Sequence, residues 1–155
     1  MKRCLPLATA TFLTLATSVA AQTDAFNGTW KMNIAKSQLL RPVKSATLTL
    51  TIVGGEEKMR GETVMEDGTR MINEYTARYD GKEYPLMLNG KPSKDMVALK
   101  KIDGRNREFI QRRDGEDRGT IRRVLSSDGR TITTTANGST SNGKPEKEIR
   151  IWERQ

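Results

Sequence analysis

The sequence predicts an all-β fold, a closed up-and-down antiparallel β-barrel of about 8–10 short strands, with a β-sandwich as the alternative. Two observations carry this. Turn pairs recur along the chain, from Gly54-Gly55 and Asp67-Gly68 through Asp80-Gly81, Asn89-Gly90, Asp103-Gly104, Asp114-Gly115 and Asp128-Gly129 to Asn137-Gly138 and Asn142-Gly143. Asp-Gly and Asn-Gly are the pairs that tolerate positive φ in hairpin turns. Between them the residues alternate with period two, and no stretch beyond the first 21 residues sustains an apolar stripe at helical spacing. Successive hairpins favour a meander, and closing it removes the exposed edges that invite aggregation.

The chain opens on a segment with its own logic. Lys2 and Arg3 precede an apolar run from Leu5 to Ala16, and Ser18-Val19-Ala20-Ala21 offers the small residues a signal peptidase reads. Residues 1–21 therefore read as a cleaved signal peptide, and 22–155 as a single barrel domain. The run is short for a membrane span and is interrupted by Pro6, so no transmembrane segment is expected in the mature chain. The one cysteine, Cys4, lies before the run and not at the cleavage site, which argues against a lipid anchor. Removing 21 residues from 155 leaves 134 without a cysteine, enough for one core that no disulfide staples. A bacterial periplasm, or secretion from a bacterium, suits such a chain.

The elements follow in order. Phe26 to Lys31 reads as an opening strand. Asn33 to Ser45 has room for one helical turn before Pro42 and reads as a loop crossing a barrel mouth. Thr47 to Ile52 sets Leu48, Leu50 and Ile52 on one face and threonines on the other. Met71 to Tyr79 sets Met71, Tyr75, Ala77 and Tyr79 together, opposite Glu74, Thr76 and Arg78. Pro85 to Lys94 reads as an edge strand followed by a loop. Met96 to Ile102, Glu108 to Arg112, Thr120 to Leu125 and Arg130 to Thr135 are further strands, rich in the β-branched residues that suit a half-buried pleated surface. Ala136 to Glu146 reads as a long polar hairpin, and Ile149 to Glu153 as the closing strand.

The two ends carry a resemblance. Phe26-Asn27-Gly28-Thr29-Trp30-Lys31 resembles the Gly-x-Trp first strand of lipocalins and the Gly-Thr-Trp start of fatty-acid-binding proteins, both in the calycin superfamily. Ile149-Arg150-Ile151-Trp152-Glu153-Arg154 is similar to the Arg-x-Tyr ending of the fatty-acid-binding proteins, with Trp152 in the tyrosine's place. Gly28 to Gln38, with the Asp-Gly turns after it, also resembles uncharacterised secreted bacterial proteins described as lipocalin-like. The resemblance implies Gly28 and Trp30 as a structural signature, with Trp30 at the closed end under an arginine of the last strand. Arg150 is the candidate for that latch, and on the second reading for a ligand-carboxylate clamp. The chain departs from fatty-acid-binding proteins in lacking room for a helical lid, and from many lipocalins in lacking disulfides.

Five residues are the candidate ligand contacts: Tyr75, Tyr79, Arg122, Arg150 and Trp152. Tyr75 and Tyr79 share a face with Met71 and Asn73, either as core or as a cavity wall with hydroxyl handles. Arg122, facing with Thr120 and Val124, is an internal charge in need of a partner if it turns inward, which puts Arg123 outside. Alternation places Arg150 with Trp152 and Ile149 with Ile151 on opposite faces, without saying which pair is inside. The mature chain's seven aromatics are few for filling such a barrel, which leaves both a partly empty and a filled interior open.

Composition narrows the function. With no histidine and no mature cysteine, the commonest general base, the thiol nucleophile and most transition-metal ligands are missing. The paired acids Glu56-Glu57, Glu66-Asp67 and Asp114 to Asp117 fall in or beside predicted turns and read as turn chemistry. No phosphate-cradling glycine loop or nucleophile elbow occurs. No catalytic residue, metal or cofactor is expected, and the protein is read as a non-enzymatic binder of a small, mainly apolar or amphipathic ligand. Taking Lys2 and Arg3 from 27 basic residues leaves 25 against 19 acidic ones, a mature charge of +6, with nine basic and five acidic residues between Lys100 and Arg123. That region supports the alternative, a surface-interaction module acting as a periplasmic protease inhibitor or binder of an anionic envelope component. Nucleic acid is not an expected partner, since Phe109 is the region's only aromatic.

Overall fold

The structure is a computed structural model and describes residues 23–139 and 144–155. The signal-peptide reading of residues 1–21 and the Asn142-Gly143 turn lie outside the described residues. Ten strands are described: β1 (Gly28–Met32), β2 (Val43–Val53), β3 (Glu56–Met65), β4 (Arg70–Arg78), β5 (Glu83–Leu88), β6 (Lys91–Lys101), β7 (Asn106–Arg113), β8 (Glu116–Leu125), β9 (Thr131–Ser139) and β10 (Pro145–Arg154). Each pairs antiparallel with the next, and β10 returns to β1, so the sheet closes as an up-and-down barrel rather than a sandwich.

The turn chemistry sets the rhythm. At Asn89-Gly90 and Asp114-Gly115 both residues have positive φ, the conformation a two-residue hairpin requires and asparagine, aspartate and glycine tolerate. Asn137-Gly138 is not a turn. Both residues lie within β9, pairing with Lys147 and Glu146 on one side and with Thr120 and Gly119 on the other. Pro85 to Lys94 is not an edge strand with a loop either, because β5 turns at Asn89-Gly90 directly into β6. Its seam with β4 is nevertheless thin, with Cα pairs only at Asn73–Leu88 and Glu74–Met87.

One end of the barrel is shut by chain and side chains together. Trp30 is fully buried, and its indole N–H donates to the Phe26 carbonyl at 3.1 Å. The Arg154 guanidinium lies 4.1 Å from the indole centroid and donates to the carbonyls of Ala25, Asn27 and Gly129. The latch over Trp30 is thus Arg154, not Arg150, because period-two alternation carries the inner face of β10 from Trp152 to Arg154 at the closed end. Gly28 serves this closure. Its φ of +132° and the 2.9 Å separation between a would-be Cβ and Arg154 Nη1 exclude a side chain there.

Beneath Trp30, Arg107 is also sunk in the closed end. It donates to Asp24 Oδ2 at 2.8 Å and to the Asp103 carbonyl, and stacks on the Phe26 ring at 4.6 Å. At the opposite end the Asn33–Pro42 segment contains a 3-10 turn, Ile34–Lys36, and then runs along β10. Gln38 and Ile149 exchange two backbone bonds there. The strap thus continues the β1 side of β10 as an edge neighbour; Arg150 and Trp152 of β10 face in, and by alternation Ile149 and Ile151 face out.

Candidate ligand-binding site

Between the plug and the open mouth the barrel keeps a cavity of about 410 Å³. Its apolar wall comes from alternate residues of adjoining strands, among them Met59, Leu86, Phe109, Ile121 and Trp152. A second hollow of about 490 Å³ lies along the thin seam, between residues such as Arg60, Glu74 and Met87. It is a wide-open groove on the outer face. The interior cavity is the better candidate because it is more enclosed and its lining comes from strands all round the barrel.

The deep end of the cavity is built on Glu57, the second residue of β3, whose side chain is fully buried. Arg123 of β8 donates to its Oε1 at 2.8 Å, Tyr75 O–H donates to the same oxygen at 2.6 Å, and Tyr79 O–H donates to Oε2. Arg123 also stacks on Phe109, with its guanidinium carbon 4.1 Å from the ring centroid. A buried carboxylate is tolerable only when its charge is matched and its lone pairs are filled. One cation and two phenols supply both. Burial first, and then the Glu57 charge, push the Tyr79 phenol far above its ordinary range; burial likewise pushes Tyr75 well up. Both remain donors at any physiological pH.

The mouth is wired differently. Arg113 grips Asp95 with two bonds of 2.6 and 2.9 Å, which hold the carboxyl of Asp95 below its usual range. Arg150 bonds Glu148 on its own strand at 3.0 and 2.9 Å and remains about one third exposed. Arg41, on the strap, reaches both the main cavity and a side chamber of about 100 Å³ that it shares with Arg150, Thr63 and Asn73.

Of the five candidate contacts, Tyr75, Arg150 and Trp152 line the cavity, the indole N–H of Trp152 donating to Thr134 at 3.1 Å. Tyr79 lies deeper, against Glu57 and the closed-end Arg107. Arg122 is on the outer face, where it pairs with Glu108 at 3.2 Å, and the internal arginine of β8 is Arg123. The signal was in the neighbours: Ile121 and Leu125 flank Arg123, whereas Thr120 and Val124 flank Arg122, and the more apolar face goes in. Glu57 is a second correction. Lying two residues past a turn, it is not turn chemistry but the buried carboxylate at the deep end of the cavity.

The basic stretch from Lys100 to Arg123 does not form a uniform positive face. Arg107 and Arg123 turn inward, while Arg112, Arg113 and Arg122 each hold a carboxylate. Among the described residues no group of three or more histidine, cysteine, aspartate or glutamate side chains is arranged to hold a metal ion. No helix described is long and apolar enough to cross a membrane. The chain matches no protein-family model and no curated protein.

Proposed function

We propose that this chain is a calycin-like barrel, exported to a bacterial periplasm or secreted, that binds a small, mainly apolar ligand in its interior and performs no chemistry on it. The observation that carries the reading is the 410 Å³ cavity, within the size range of small-molecule sites and walled by apolar side chains with a few polar groups at its ends. The end motifs, the ten-strand closure and the Trp30–Arg154 latch support the calycin-like assignment, and the leader-like first 21 residues support export. The outer face bears ion pairs such as Arg60–Glu74 and Arg112–Glu83, the reverse of the apolar band a membrane-spanning barrel presents to lipid. The lack of histidine and mature cysteine supports a binding role over catalysis.

Native mass spectrometry of the protein purified after export, followed by organic extraction, tests this. The expected result is a mature mass beginning near Gln22 carrying one small molecule per chain, which Ile121→Trp abolishes by filling the cavity without unfolding the barrel. A bare mass that takes up neither fatty acids nor isoprenoids overturns the reading and points to the outer surface instead, as an inhibitor or envelope-binding module would require.

A further inference from the structure

The thin seam between β4 and β5 has a cause that two residues make plain. Its Cα pairs are Asn73–Leu88 and Glu74–Met87, although both strands run on toward the closed end. Ile72 turns its backbone to β5, where its carbonyl accepts from the Asn89 N–H and its N–H donates to Asn89 Oδ1, each at 2.8 Å. Hydrogen-bonding direction alternates along a strand, so Glu74, Thr76 and Arg78 face the same way. Tyr79, in the other set, donates to the Gly55 carbonyl on the β3 side. Continuing the register sets Thr76 opposite Pro85, which has no N–H to give. The ladder therefore stops, and the exposed Thr76 points its N–H and C=O into the seam with no strand to bond.

Over this edge lies the outer groove of about 490 Å³, with Thr49, Thr51 and Thr76 on its floor and Pro85 and Met87 as an apolar lip. Arg60 and Glu74 spend their charges on each other at 2.5 Å. Lys58, the cross-strand partner of Thr76, makes no ion pair among the described residues, so the groove's unspent charge is positive. An unpaired strand edge is a template for a further strand. We propose that the seam is a docking site for an extended peptide segment of another protein, laid along β4 as an added strand with an acidic side chain over Lys58. A second copy of this barrel does not fit the site, because its ten described strands already close on one another and leave no free strand to add. Docking there requires no ligand in the interior cavity.

Titrating the isotope-labelled protein with the acetylated, amidated pentapeptide Thr-Val-Glu-Val-Thr at millimolar concentration, followed by amide shifts and hydrogen exchange, tests this. The peptide should shift the Thr76 and Arg78 amides and slow exchange at Thr76. N-methylating its glutamate, whose N–H the Thr76 carbonyl would accept, should weaken binding at least tenfold. Lys58→Gln should weaken it about threefold, the size of one exposed ion pair. Pro85→Val gives β5 the missing donor, so the seam should zip, protect Thr76 without peptide and cut peptide binding at least tenfold. If the methylated peptide binds as well as its parent, or if Pro85→Val leaves binding unchanged, strand addition is refuted. It is refuted equally if no amide around Thr76 responds, or if protection of Thr76 rises with protein concentration alone, which makes a second copy the occupant.

Discussion

The two halves of this barrel are made from the same ten strands and spend their charged side chains in opposite ways. In the closed half the arginines, buried or not, are committed to the fold. Arg107 ties the Asp24–Phe26 segment down, Arg154 locks three carbonyls and an indole, and Arg123 neutralises Glu57. In the open half the arginines stand at the rim, partly exposed, and Arg41 bonds to none of the described residues. A charge in the interior is affordable only as part of a complete network, so the deep half is fixed. The rim remains hydrated and can exchange water for a ligand's head group at little cost.

The largest expected effect breaks the deep half. Arg123→Met strands the Glu57 carboxylate in a buried site and should destabilise the protein by about 3–5 kcal/mol in urea unfolding. Adding Glu57→Gln should restore a large part of that loss, since the penalty lies in the unpaired charge and not in the missing contact. If the double variant is as unstable as the single one, the network is not the source of the deep half's rigidity.

Arg154→Ala is expected to cost about 1–2 kcal/mol, reflecting lost cation–π stacking and exposed hydrogen bonds at the closed end. A tyrosine titration followed by ultraviolet absorbance sharpens the contrast next. Tyr84, half-buried and bonded to Asp80, should ionise reversibly, whereas Tyr75 and Tyr79 should ionise only as the barrel unfolds. Their folded-state pKa values lie above the unfolded value near 10, so their contribution is complete below that pH and is lost as pH rises through the folded-state values. The Tyr75→Phe/Tyr79→Phe protein should lose this alkaline unfolding step.

The smallest effect belongs to the rim. Asp95 has a lowered folded-state pKa, so its contribution is present above about pH 4 and fades as pH falls through the folded-state value. Because the pair is partly exposed, Asp95→Asn should cost only a few tenths of a kcal/mol at pH 7. The variant and the wild type should converge in stability at the acid end of the transition.

The frame of the barrel was the most legible part of the sequence. Gly28 and Trp30 announce themselves by type, and the recurrent Asp-Gly and Asn-Gly pairs mark most of the turns. Asn137-Gly138 misled because the same dipeptide that bends a hairpin also fits a strand where backbones crowd: a Cβ on the cross-strand neighbour Gly119 would lie 2.7 Å from the Asn137 carbonyl. The interior charges were harder to read. Alternation separates Arg122 from Arg123 and Ile149 from Arg150, but which face is inward depends on strands far along the chain. Ile149 and Ile151 face outward although both are apolar, because Arg150 and Trp152 on the other face line the cavity. Glu57 was hidden by its place beside a turn, since its partners Tyr75 and Arg123 lie 18 and 66 residues away.

The pairing of β1 with β10, seen at Trp30–Arg154 and Met32–Trp152, also governs the order of events in folding. Every other ladder in the barrel joins neighbours in the chain and can zip locally, but this one brings together segments that more than a hundred residues separate. Such distant contacts are slow to form because the whole intervening loop must be ordered first. The first strand must therefore wait, unpaired on one side, until the tenth has been synthesised. Up to that moment the polypeptide is an open sheet, with two free edges and exposed to pairing with other chains. The final ladder ends both conditions at once.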